Sequence, residues 1–198
     1  MIKGSGGYRM AIIPNNSQLN SAIESMLQCL AFWMGYSKCM NELYEHDCVH
    51  QAFAILRANF GKDYALQYEY PYSDIDKGII SQERADLVIL DKNDKTPLCV
   101  MEFKMSDNTN GGVAADVKKL RKITREGVIK LVILLFYEDN KKLRELYLTG
   151  SGNAVVAKRR LVTLNGVEKP VRVKRVAKAM ATANRPKRSP YMAVCIEV

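Results

Sequence analysis

The chain has 198 residues, 47% of them hydrophobic and 26% charged, the balance of a globular protein with enough chain for one substantial core. Its formal charge is +9, and residues 151–190 alone hold eleven Lys or Arg against the single acid Glu168, so the rest is close to neutral. No run approaches the ~20 apolar residues of a membrane span and residues 1–7 (MIKGSGG) lack the apolar stretch of a secretory signal, so a cytoplasmic protein with no membrane partner is expected.

Residues 1–16 look irregular, with a short edge strand open to Tyr8–Ile13. Ser17 suits the N-cap of a helix over 18–34, whose apolar face carries Leu19, Ile23, Met26, Leu27, Leu30 and Phe32, and Gly35 would end it. Trp33, Met34 and Tyr36 are bulky for a surface, so this helix packs on the core or on a second subunit, and a homodimer is one expectation. A second helix is expected from 38 or 41 to 59, closed by Gly61, with Val49, Ala52, Phe53 and Leu56 inside and Glu42 and Glu45 along its upper inward edge. His46 and His50, four apart, could chelate a metal; no third soft ligand stands at a telling spacing, and the five scattered cysteines never form a CxxC pair, so neither zinc nor a disulfide framework is expected.

Tyr64–Tyr72 reads as the first core strand, ending at Pro71, with Gln67 and Glu69 on one face, as surface residues of an edge strand or, for Glu69, as a supporting acid. Residues 74–78 then form a loop of free-standing polar residues that could approach a substrate. Residues 83–105 (ERADLVILDKNDKTPLCVMEFKM) place two apolar runs around the polar turn 91–95, which predicts a hairpin of two buried strands. Three charges interrupt that burial: Asp86, Glu102 and Lys104. Side chains alternate faces, so Glu102 and Lys104 share one and Phe103 takes the other. A hairpin centred on Asp94 sets Asp86 directly across from Glu102, about 5 Å apart at Cβ. Two carboxylates side by side in an apolar sheet repel and are costly to desolvate. A buried ion pair with Lys104 would answer only part of that charge; a divalent cation answers both problems, and Mg²⁺ takes one or two carboxylates together with phosphates.

After the turn at 106–112, a helix is expected over 113–125, with Val113, Val117, Leu120 and Ile123 inside and Asp116, Lys118, Lys119, Arg121, Lys122 and Arg125 outside. Its five basic residues make either a phosphate-binding surface or a solubilising one. Val128–Tyr137 is the most apolar run, a central strand joined to the hairpin by a parallel crossover, and 139–148 a short helix. From 153 the text alternates valine with Lys or Arg around Asn165-Gly166, a hairpin turn signal. One face of that hairpin would carry Lys158, Arg160, Arg172 and Lys174, with Arg159 and Arg175 beside them; Arg185, Lys187 and Arg188 follow in a basic loop, and Tyr191–Val198 ends the chain as a strand. A basic ribbon of this kind can follow a nucleic-acid groove, or sit idle as an edge blunted against aggregation.

Asp86, fifteen intervening residues, and then Glu102-Phe103-Lys104 resemble the PD-(D/E)xK signature of restriction-endonuclease-like nucleases, with Ala85 where the proline would stand. The likeness spans about residues 41–137. It implies an α/β fold with a mixed central sheet flanked by helices, here one domain made of a helical extension (1–40), a catalytic core (41–150) and a basic C-terminal hairpin, loop and strand (151–198). It implies a Mg²⁺-dependent endonuclease (Mn²⁺ substituting), DNA favoured, in which Asp86, Glu102 and the Phe103 carbonyl bind metal and Lys104 orients or helps deprotonate the attacking water. Such nucleases often carry a further acid on the preceding helix, and Glu45, then Glu42, is the candidate here. The basic side of the helix after the hairpin would touch phosphates. The alternatives are a dormant nucleic-acid-binding module of the same fold and an RNase toxin.

Overall fold

The computed structural model describes residues 16–37, 44–61, 64–105, 111–137, 139–150, 155–158, 161–179 and 191–198. The expected strand at 8–13, Glu42, Arg159, Arg160 and the basic loop with Arg185, Lys187 and Arg188 lie outside the described residues. In chain order the elements are α1 (Asn16–Ser37), α2 (Glu45–Phe60), β1 (Tyr64–Pro71), α3 (Tyr72–Ile75), β2 (Arg84–Asp91), β3 (Pro97–Met105), α4 (Gly111–Arg121), β4 (Ile129–Tyr137), α5 (Lys141–Tyr147), β5 (Leu148–Thr149), β6 (Val156–Ala157), β7 (Leu161–Val162), β8 (Val171–Lys178) and β9 (Tyr191–Glu197). Seven strands form one mixed sheet in the order β1-β2-β3-β4-β9-β8-β7, and β5 pairs with β6 apart from it. Among the described residues no helix is long and apolar enough to cross a membrane.

The strand period sorts each residue of the sheet to one of two cores. Cys99, Met101, Phe103, Leu131, Ile133 and Cys195 point toward α1 and α2. Val88, Val100, Val132, Leu134, Val194 and Ile196 point toward α4 and the β5–β6 side. Strands so apolar on both sides need cover on both sides, and the helices provide it.

The central hairpin has the register that a turn centred on Asp94 requires: Leu87 faces Met101, Val88 faces Val100 and Ile89 faces Cys99, with the one irregularity at Leu90, opposite Pro97. β3 and β4 are parallel, joined through α4 as expected. The basic segment, where it is described, is part of the sheet rather than a free-standing ribbon. β8 lies inside the main sheet, antiparallel to β9, and the short β7 pairs at its edge. The cause is β9, in which six of seven residues are buried. A strand that apolar is shielded from water by a neighbour on each side, and β4 and β8 supply them. Asn165-Gly166 does turn, with Gly166 at φ 70, but inside a longer connection, residues 163–170, rather than as a two-residue hairpin loop.

The helices also depart from expectation. α1 starts before Ser17 and runs through Gly35 to Ser37; Met26, Leu30, Ala31 and Met34 are wholly buried, so packing rather than local propensity sets its length. α2 starts only at Glu45 and ends at Phe60, closed as expected by Gly61, whose φ of 56 suits glycine. A Cβ added at Gly35 would lie 3.8 Å from that of Ala179, an ordinary contact. Gly35→Ala is therefore expected to stabilise the protein by about 0.5–1 kcal/mol through better helix propensity. Loss of stability on chemical denaturation would place the end of α1 at Gly35 instead.

Candidate functional site

β2 and β3 are adjacent, and the step after the Leu87–Met101 pair brings Asp86 and Glu102 together. Glu102 is only 2% exposed. The two carboxyl groups lie close enough for Asp86 to raise the cost of ionising Glu102. The Phe103 N–H donates to Asp86 Oδ2 at 2.6 Å, so Phe103 contributes its backbone while its ring is buried on the opposite face. The Tyr72 hydroxyl donates to Glu102 Oε1 at 2.5 Å. Burial, and then the neighbouring Asp86, push the Glu102 carboxyl up to about 8; burial raises Asp86 as well. Burial and the charge of Glu102 raise the Tyr72 hydroxyl, so it remains a donor.

Glu45 reaches this corner from the first turn of α2. Its Oε1 lies 3.0 Å from Lys104 Nζ, and its Oε2 accepts the Met105 N–H at 3.1 Å. On the other side Lys104 Nζ is 3.6 Å from Asp116 Oδ2. Lys119 Nζ sits 2.9 Å from Asp116 Oδ1 and 3.8 Å from Glu102 Oε2. Burial works against both ammonium groups, but the hydrogen bond from Lys104 to Glu45 and that from Lys119 to Asp116, with the surrounding carboxylates, outweigh it and hold each above the ordinary lysine value. Both lysines therefore keep their protons at neutral pH.

All four residues expected to act chemically, Asp86, Glu102, Lys104 and Glu45, converge. Three further members were not expected here. Asp116, expected on the outer face of its helix, is 3% exposed; three residues after Val113 and four before Leu120, it falls on the buried stripe, and that spacing was the signal. Lys119 points inward with it. Tyr72 was given no role at the site; β1 ends at Pro71 as expected, and the helical turn after it carries the phenol into the core beneath the sheet. Asp76 is not a free-standing loop residue: its carboxylate accepts from the Thr124 N–H and hydroxyl and the Arg125 N–H. Glu69, across from Asp86 in the β1–β2 register, is exposed and has φ 53.

Among the described residues, the basic side chains expected to meet phosphate are mostly engaged within the fold. Arg121 donates to the carbonyls of Lys169 and Pro170, Lys122 pairs with Glu83 and Lys158 donates to the Glu145 carbonyl. Lys174 pairs with Glu197 at 2.7 Å and Arg175 lies 3.7 Å from Glu24. Lys118 and Arg172 are exposed.

Four carboxyl groups against two ammonium groups leave a formal excess of two negative charges when all are ionised, and Asp116 Oδ2 is buried without a hydrogen-bond partner. One divalent cation would balance that excess. Among the described residues no three His, Cys, Asp or Glu side chains are grouped closely enough to hold an ion alone. A carboxylate pair therefore fits Mg²⁺, which keeps waters and substrate oxygens in its shell, better than a zinc ion caged by protein ligands. No protein family matches the chain, no curated protein matches it, and no solved structure matches it.

The raised carboxyl of Glu102 fixes the sign of a pH effect. Its folded value lies above its unfolded one, so the folded state binds the extra proton and stability falls as pH rises between them. In EDTA, urea denaturation is expected to show a loss on the order of a few kcal/mol between pH about 4.5 and about 8. Glu102→Gln should flatten that slope; an unchanged slope in the variant would assign it to another group.

Proposed function

We propose that the chain is a Mg²⁺-dependent nuclease, hydrolysing phosphodiester bonds of nucleic acid on the plan of the PD-(D/E)xK enzymes. The observation that carries this reading is the meeting of Asp86, Glu102 and Lys104 at one corner of two adjacent strands, with Glu45 beside them. The run α2, β1, β2, β3, α4, β4, with β3 and β4 parallel, is also the order that such a core would have.

In this reading Asp86 and Glu102 would hold the ion, with Glu45 and Asp116 joined to the same corner through Lys104. A bound Mg²⁺ supplies a water of lowered pKa and neutralises charge on the phosphate. Asp86 is kept in place by the Phe103 N–H and Glu102 by the Tyr72 hydroxyl. Lys104, holding its proton, suits orienting the attacking water and stabilising negative charge on the scissile phosphate better than removing a proton. Lys119 places a second positive charge at the same corner.

One observation favours a second reading, a nucleic-acid-binding module with a dormant site: Lys104 and Glu45 already satisfy each other. Incubating the protein with plasmid, single-stranded DNA and RNA in Mg²⁺, Mn²⁺ or EDTA separates the two. The nuclease reading expects metal-dependent cutting, abolished in Asp86→Ala and Glu102→Gln; gel shifts without cutting support the module. Lys104→Ala should lower turnover and leave binding in place; normal cleavage by it would remove Lys104 from the mechanism.

Gly112 offers an independent check. A Cβ there would approach the Lys104 side chain to 2.9 Å at Cδ. Gly112→Ala is expected to leave the thermal midpoint nearly unchanged, because a lysine stem can move, yet to cut turnover on the order of ten-fold by shifting the ammonium. Unchanged turnover would show that the position of Lys104 does not matter.

A further inference from the structure

Beside the carboxylate corner lies a cleft of about 410 Å³, with Asp86 at its inner end. One wall is a continuous row of rings from two elements, the start of α2 and the edge strand β1. Tyr44 and His46 stack at 5.8 Å with planes 13° apart, His46 meets His50 edge-on at 6.0 Å, and His50 meets Tyr68 at 5.3 Å. Phe53, partly buried, backs Tyr68 from behind at 5.4 Å. The row is not core packing. Tyr44 is 57% exposed and Tyr68 50%, and both histidines are exposed.

The acidic residues that share the cleft with those rings narrow what could enter. Glu45 and Glu69 line it together with Asp86, so away from the corner where a divalent cation would offset the charge a phosphate would be repelled, whereas a neutral flat ring bearing N–H donors would stack on the rings and donate to a carboxylate. Glu69 holds a left-handed φ of 53 directly opposite Asp86, at the residue where the β1–β2 ladder lapses. Such strained positions cluster at ligand clamps. The ammonium groups of Lys104 and Lys119 lie outside this wall, at the corner where a backbone phosphate would sit.

We propose that this cleft is a nucleobase subsite: one unpaired base stacks on the Tyr68–His50 wall while its phosphodiester lies at the Asp86–Glu102 corner. Resting on the nuclease reading above, it gives the substrate class as single-stranded or splayed nucleic acid, because a base within a duplex cannot reach the wall without leaving its stack. The acidic side selects bases that present amino or imino hydrogens.

The test is fluorescence anisotropy at fixed salt and in Mg²⁺, with a labelled single-stranded phosphorothioate oligonucleotide, its copy with abasic positions, and a blunt duplex of the same sequence. The expected order is single strand tightest, with abasic and duplex probes weaker by on the order of ten-fold, the effect of one base stack. Tyr68→Leu and His50→Ala should each lose a similar factor on the normal strand and nothing on the abasic one, and Tyr68→Phe should bind like the parent. Equal affinity for normal and abasic strands, or Tyr68→Leu binding like the parent, would overturn the subsite. If metal-dependent cutting persists alongside that result, the nuclease reading stands without it. Base-dependent binding with no cutting of an ordinary oligonucleotide leaves the subsite and removes the nuclease.

Discussion

The close pair of Asp86 and Glu102 is the constraint that the surrounding structure answers. Strand register leaves those two carboxyls no choice but to meet, and burial makes their joint ionisation unfavourable. Each neighbour offsets part of that cost. Tyr72 and the Phe103 N–H donate to the oxygens, and Lys119 brings a positive charge within 3.8 Å of Glu102. Asp116 then holds both lysines at the corner. Removing the pair would leave those donors and charges without purpose, whereas an apolar pair would fit the sheet at less expense. A strand pair that retains such groups is paying for something other than stability, and the proposed cation site is what the arrangement suits.

The excess positive charge has a different place in the molecule from the one its block-like distribution suggests. Among the described residues, several of these charges are held inside the fold: on carbonyls for Arg121 and Lys158, on carboxylates for Lys174 and Lys122. Affinity for a polyanion, as proposed, would then come less from a ribbon laid along a groove than from the two lysines at the carboxylate corner, from exposed Lys118 and Arg172, and from bases stacked on the ring wall. That mixture is less salt-sensitive than a purely ionic interface of many phosphate contacts.

How much of this was legible in the sequence depends on which period a residue obeys. The hairpin around Asp94 could be read because a two-residue period and a polar turn fix the register, and so the pairing of Asp86 with Glu102 follows. Glu45 could be named from its place on a helix edge, but its reach to the Met105 N–H depends on how α2 crosses β3, which no local pattern encodes. Asp116 was misplaced by reading charge instead of spacing; its position relative to Val113 and Leu120 put it inside. Tyr72 was hidden because strand alternation stops at Pro71 and a helical turn takes over. The place of β8 in the sheet followed from β9, whose apolar residues 191–197 are remote in sequence from the strand they recruit. Residues whose role is set by a partner far along the chain are the ones a local reading misses.

The central claim is that the paired carboxylates hold a hard divalent cation. Titration of the apo protein with Mn²⁺, followed by electron paramagnetic resonance of the free ion with Mg²⁺ as competitor, tests it without requiring turnover or a known substrate. The account predicts a site that Mg²⁺ displaces and that disappears in Asp86→Asn and Glu102→Gln while the fold persists by circular dichroism. Mn²⁺ binding unchanged in both variants, or none in the parent protein, would contradict it.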